Sequence, residues 1–163
     1  MNLAKNPRHI NNKKPPKVLT IIIRNLQNKV LISSLGIKKA VLSTITLLQP
    51  GIKGEISICF VNDEKIKKFN RKYIGSNYPT DVIAFDISEE KNVLLSDILV
   101  SSDAAIRNAK TYETSPKYEL YLYVVHGVLH LLGFDDKTVK ERDLMQKKAE
   151  TILLRLGLKN VNT

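Results

Sequence analysis

Short β-branched runs alternate along this chain with longer segments whose apolar residues recur at helical spacing, the pattern of a layered α/β architecture. Val18 to Arg24 follows two prolines and predicts a buried strand. From Gly36 to Gln49, Ile37, Ala40, Val41, Ile45 and Leu48 fall on one helical face, and Pro50-Gly51 ends the segment. Glu55 to Val61 returns to strand alternation. Asn62 is a suitable N-cap for a helix over Asp63 to Tyr73, with Ile66 and Phe69 inward and Lys65, Lys67 and Lys68 toward water. Gly75 to Pro79 reads as a loop, Thr80 to Phe85 as a short strand and Leu94 to Val100 as another. Ser102 or Asp103 opens a helix reaching about Tyr112. Ser115-Pro116 starts the next, a polar cap followed by proline at the first helical position, which runs to about Leu132. Thr138 and Glu141 form a capping box for the last helix, which turns Leu144, Met145, Ile152 and Leu153 inward. The expectation is an α/β (α+β) fold, one layer of about four mixed strands packed with about five helices. There are no repeats and no domain break, so residues 18–163 read as a single domain behind a tail, 1–17.

Composition narrows the class. A chain of 163 residues fits one domain with a real core, and 43% hydrophobic with 26% charged residues is ordinary for a globular protein. No apolar run reaches the ~18 residues of a membrane span. The N-terminus lacks a secretory leader's apolar segment, which predicts a cytoplasmic protein without a membrane partner. The single cysteine, Cys59, cannot form an internal disulfide and suits a reducing compartment. Its alternating surroundings read it as a small buried hydrophobe.

The formal charge of +10 and pI near 9.7 favour a polyanionic partner such as RNA, although a lysine-rich proteome alone gives the same balance. Lys5, Arg8, Lys13, Lys14 and Lys17 crowd the tail, and no acid precedes Glu55. With Pro7, Pro15 and Pro16, that tail reads as flexible and able to touch phosphates non-specifically. His9 lies in it without ligand-like neighbours.

The chemistry concentrates in His126-Gly-Val-Leu-His130-Leu-Leu-Gly133-Phe-Asp135-Asp136. Histidines four apart on a helix lie about 40° apart around the axis and about 6 Å along it, so both imidazoles can reach one ion. A lone histidine in an apolar helix is ordinarily a satisfied core residue, and the spacing by itself recurs by chance. Here the pair sits in an almost wholly apolar run, where two unsatisfied imidazoles would be costly. Gly133 stops the helix, and Asp135 or Asp136 can bring a carboxylate back to the same point. Three protein ligands with a fourth position open describe a catalytic metal site. Gly127 stands where helix-borne zinc proteases carry a glutamate base, which argues against a peptidase.

These residues resemble the signature of the YbeY family, metal-dependent endoribonucleases of ribosomal RNA maturation, whose pattern reads close to His-Gly-x-Leu-His-Leu-x-Gly-Tyr-Asp-His. Phe69-Asn70-Arg71-Lys72-Tyr73, Pro79-Thr80-Asp81-Val82-Ile83-Ala84-Phe85 and Ser96-Asp97-Ile98 match further parts of that family in the same order, from Glu55 to Leu158. The resemblance implies one divalent ion, with zinc the first expectation, held by His126, His130 and Asp136 at the end of a central helix. It implies single-strand cleavage of ribosomal RNA precursors near the small ribosomal subunit, and no role for DNA. Two positions depart from the pattern. Asp136 replaces the family's third histidine, and Ile74 stands where the family usually carries an arginine. A carboxylate ligand weakens the ion as a Lewis acid and moves preference toward harder ions such as manganese or iron. Asp135 matches the family's own aspartate and reads as a group orienting a ligand from behind. The general base is not assigned: Asp81 and Asp97 are available, and each reads equally well as a carboxylate bonded to backbone. Arg71, one helical turn before Ile74, is the nearest substitute for the absent arginine. The competing expectation is an RNA-binding ribosome assembly factor in which the metal is structural.

Overall fold

The order of elements follows the caps. In the computed structural model, which describes residues 17–160, β1 spans Leu19–Asn25, and Ser33 caps α1, Ser34–Leu48, by accepting from the Gly36 backbone. β2 is Lys53–Val61, and Asn62 caps α2, Asp63–Tyr73, by accepting from the Lys65 N–H. β3, Val82–Asp86, and β4, Val93–Ser101, follow. Ser101, one residue earlier than the sequence suggests, caps α3, Ser102–Thr111. Ser115 caps α4, Pro116–Leu131, with proline at its start, and the Thr138–Glu141 capping box opens α5, Val139–Arg155. Asp103, the alternative cap for α3, instead accepts the Asp63 N–H at 3.0 Å and pairs with Lys29 at 2.6 Å, so it closes the N-terminus of α2. Asp63 in turn accepts from Ser101 and pairs with Arg107, which ties α2 to α3.

The sheet order is β1-β2-β4-β3, with β3 antiparallel to β4 and the other neighbours parallel. Strand alternation divides the core in two. Ile56, Ile58, Ile98, Val82 and Ala84 face α1, α4 and α5 in the main cluster. Val61, Ile83, Phe85 and Leu99 face the other way and pack with Ile66 of α2. α4 packs against α1, α3, α5, β3 and β4. It is buried almost all round, as a helix apolar on every side must be.

Four expectations are corrected. β1 is an edge strand with one neighbour, so only Ile21 in it is buried. Phe69 is 40% exposed, and Asn70 takes the inward position because its amide donates to the Tyr78 carbonyl at 2.6 Å. A loop carbonyl near the core needs a donor, and that need outranks the apolar preference. Leu144 is exposed, since the buried stripe of α5 runs through Met145, Ala149, Ile152 and Leu153. Cys59 is half-buried at the margin of the α2 cluster, and burial pushes its thiol pKa up. The tail expected over 1–17 lies outside the described residues except for Lys17.

Gly127 sets how closely α4 approaches the sheet. A Cβ there would lie 2.9 Å from Ile98 Cγ2 and 3.3 Å from Val82 Cγ2, so no side chain fits between helix and strands. Overpacking of this kind costs about 1–3 kcal/mol, while alanine returns about 1 kcal/mol of helix propensity. Gly127→Ala is therefore expected to lower Tm by about 2–4 °C in a domain of this size, measured by thermal unfolding. An unchanged or raised Tm would show that the contact has slack.

Candidate metal centre

The end of α4 is built by its own closure. Gly133 adopts φ +88°, its N–H donates to the His130 carbonyl at 3.0 Å, and the Phe134 N–H donates to the Leu129 carbonyl at 3.0 Å. These two bonds form the Schellman closure that a left-handed glycine permits. The turn carries the Phe134 carbonyl back over the helix, where it lies 3.0 Å from His130 Nδ1. A carbonyl only accepts, so Nδ1 holds the proton and Nε2 presents its lone pair.

That lone pair looks at Asp136. His130 Nε2 and Asp136 Oδ2 stand 3.6 Å apart, and His130 is buried. Two acceptors that face each other so closely in a sheltered place call for positive charge between them. The spacing is close to the roughly 3.4 Å that two ligands keep on one tetrahedral ion with bonds of about 2.1 Å. His126 adds a third nitrogen. The residue is half-buried, but its Nε2 is shut off from solvent and has no hydrogen-bond partner. Burial pushes the His126 pKa down to about 4. The Asp81 carboxylate opposes this shift, His130 adds to it, and Asp136 and Gln146 of α5 oppose it more weakly. Burial also lowers the His130 pKa, against Asp136 and the Phe134 carbonyl. Both imidazoles are thus held neutral, the form that ligates metal. The donor set fits a divalent ion, although among the described residues no three such side chains are gathered tightly enough to hold one as they stand.

The remaining candidates separate cleanly. Asp135 accepts the Asp136 N–H at 2.8 Å and pairs with Lys137 at 2.6 Å, so it braces the turn and leaves Asp136 to face His130. Asp81 accepts from Thr80 and from the Val82 N–H at the start of β3, and it is the carboxylate acting most strongly on His126. Asp97 alternates with Ile98 and therefore lies on the opposite face of the sheet, where it acts on Cys59. Arg71 is exposed on α2, and Ile74 packs at the margin of the α2 cluster. Sequence reasoning missed Gln146 and the Phe134 carbonyl. A glutamine four residues before Glu150, to which it donates at 2.8 Å, reads as a surface pair, and a carbonyl carries no signal in a sequence.

Without metal, His126 makes the fold acid-sensitive. The unfolded chain takes up this proton at the ordinary 6.5 and the folded one only at about 4. Proton uptake therefore favours unfolding as pH falls through 6.5, and the effect levels off below 4. At 1.36 kcal/mol per pKa unit the loss is at most about 3 kcal/mol, and solvent screening of the half-buried residue brings it to about 2 kcal/mol. Thermal unfolding of metal-free protein between about pH 7 and pH 4 should show it, and His126→Gln should flatten the slope. Equal slopes in the two proteins would remove His126 as the cause.

Comparison with known proteins follows the same residues. The profile of the family described as Endoribonuclease YbeY matches residues 22–157. A relative in Pelotomaculum thermopropionicum, named Endoribonuclease YbeY, is 35% identical over 150 residues, 86% of this chain and 99% of its own. One of the same name in Carboxydothermus hydrogenoformans is 39% identical over 139 residues, 83% of this chain and 96% of its own. A Thermotoga maritima protein solved in solution superposes with a TM-score of 0.57 at 25% identity, over 83% of this chain and 91% of that one. With a helix-borne histidine pair, a glycine closure and a returning aspartate inside a profile match that spans most of its length, this chain belongs to the Endoribonuclease YbeY family.

Proposed function

We propose that this chain is a metal-dependent endoribonuclease that cleaves single-stranded ribosomal RNA precursors, with one divalent ion held by His126, His130 and Asp136. The observation that carries the reading is the acceptor-to-acceptor approach of His130 Nε2 and Asp136 Oδ2 at 3.6 Å, beside the unpartnered Nε2 of His126. When bound, a divalent ion supplies Lewis acidity at a phosphoryl oxygen and lowers the pKa of a water. The chain's own groups do the rest. The Phe134 carbonyl fixes the His130 tautomer, and the Gly133 turn brings Asp136 to the same point. The general base stays unassigned between the two candidates: Asp81 is the carboxylate whose charge acts on His126, whereas Asp97 lies on the other face of the sheet.

Family membership favours cleavage over an assembly role with a structural metal, and three protein donors leave a position for a reactant. Gly127 disfavours peptide hydrolysis on structural grounds too, because the helix–sheet contact leaves no room for a glutamate there. Zinc is the proposed ion, with manganese or iron the alternatives that the aspartate brings closer. No helix among the described residues is long and apolar enough to cross a membrane. A cytoplasmic place of work beside the small ribosomal subunit is part of the same proposal.

His126→Ala is expected to lose stoichiometric metal by elemental analysis of protein purified without added metal. Full metal content in that variant would refute the ligand assignment. Wild-type protein should cut ribosomal RNA in a chelator-sensitive manner. His130→Ala should fall by more than the roughly 10–100-fold typical of losing an outer partner to a metal ligand. RNA binding without chelator-sensitive cleavage would favour the assembly role.

A further inference from the structure

The exposed face of α2, with the loop that follows it, joins two features. The first is exposed aromatic surface: Phe69 is 40% exposed and Tyr78 78% exposed. Phe69 is not loose. It stacks on Tyr73 at 5.9 Å and 25°, and Tyr73 meets the buried Phe85 edge-on at 5.3 Å. Tyr78 is held beside the same helix, because the Asn70 amide donates to its carbonyl. The second feature is charge. Lys65 and Lys72 stand four residues before and three after Phe69, which puts both beside its ring. Lys72 Nζ lies 5.1 Å from the centre of the Tyr73 ring. The only acids of the helix, Asp63 and Glu64, are engaged by Arg107 and Lys68, so its remaining cations keep their field.

Propped aromatic rings between cations are what binds a single strand of nucleic acid: bases stack on the rings and the backbone lies against the charges. A duplex offers the cations its phosphates but hides its base faces from the rings. The location fits as well. Tyr78 precedes Val82 by four residues, at most about 14 Å of chain, and Val82 Cγ2 would lie 3.3 Å from a Cβ on Gly127, the neighbour of His126. We infer that Phe69 and Tyr78, flanked by Lys65 and Lys72, form a platform for single-stranded RNA that leads the strand toward the metal centre. This deepens the RNA-cleaving reading and rests on it for the direction of the strand, but not for the binding itself.

The test is fluorescence anisotropy with a labelled single-stranded RNA oligonucleotide and with a duplex of the same sequence, on the full chain, with chelator present so that no metal contributes. Tyr78→Ala and Phe69→Ala should each weaken single-strand binding about tenfold, whereas Tyr78→Phe and Phe69→Tyr, which keep a ring, should bind like wild type. Tyr78 is so exposed that its alanine variant reads binding without a folding cost; a thermal melt controls for Phe69→Ala. Lys72→Ala should weaken single strand and duplex together and reduce the salt dependence. Alanine variants that bind the single strand as tightly as wild type would overturn the platform, and so would equal affinity for duplex and single strand. Cleavage measured in parallel with metal keeps the two readings apart. Lost cleavage with intact, ring-dependent binding fails the catalytic reading alone, and intact cleavage with ring-independent binding fails the platform alone.

Discussion

A single backbone carbonyl governs the chemistry of this molecule. The Phe134 oxygen, 3.0 Å from His130 Nδ1, decides which imidazole nitrogen carries the proton and therefore which one keeps its lone pair. That oxygen arrives there only because Gly133 takes a left-handed conformation, and Asp136 follows from the same turn. Helix termination and donor placement are thus one event. An L-residue at 133 would resist the turn by about 1–2 kcal/mol and would strain the tautomer lock together with the helix end.

The sheet separates the remaining tasks. One face packs Ile98 and Val82 against Gly127, which seats α4 deeply and leaves its histidines in a place where burial keeps them neutral. The opposite face carries α2, whose contact residues Ile66, Ile83, Phe85 and Leu99 make a smaller core. A helix over a small core can leave aromatic surface outside, and Phe69 and Tyr78 are that surface. The antiparallel strand β3 links the two, because Val82 at its start packs against Gly127, next to His126, while Ile83 and Phe85 face α2.

Much of this was legible in the sequence because caps and histidine spacing are local. Asn62, Ser115-Pro116 and Thr138–Glu141 mark their helices where the structure has them, since a cap needs only its own first turn. The histidine pair, the glycine stop and the following acids sit within eleven residues, so helix spacing and one local turn suffice to bring Asp136 to His130. What failed depended on partners distant in the chain. β1 carries the residues of a buried strand yet has a neighbour on one side only, and no periodicity reveals strand order. Ile66, Phe69 and Asn70 share a helical stripe, and the carbonyl of Tyr78 decided that the amide, not the ring, should be inside. The choice between Asp135 and Asp136 was open from spacing. It follows the difference between a carboxylate engaged by Lys137 and the neighbouring backbone and one aimed at an imidazole.

The two departures from the family pattern have different weight. Asp136 exchanges one donor type for another: its carboxylate oxygen faces His130 Nε2 at 3.6 Å, where the family pattern has an imidazole. A carboxylate ligand would weaken an ion's pull on a phosphoryl oxygen and raise the demand for positive charge around an RNA bound there. Ile74 goes the other way, since an aliphatic side chain at the margin of the α2 cluster cannot contact phosphate. Both changes leave the centre short of cationic help. The lysines and Arg71 of α2 precede Ile74 on the same helix, by two residues for Lys72 and by three or more for the others, and would supply positive charge that Ile74 does not. On physical grounds, RNA would then be gripped ahead of the cleavage point and not at it, and affinity and turnover would respond to different residues.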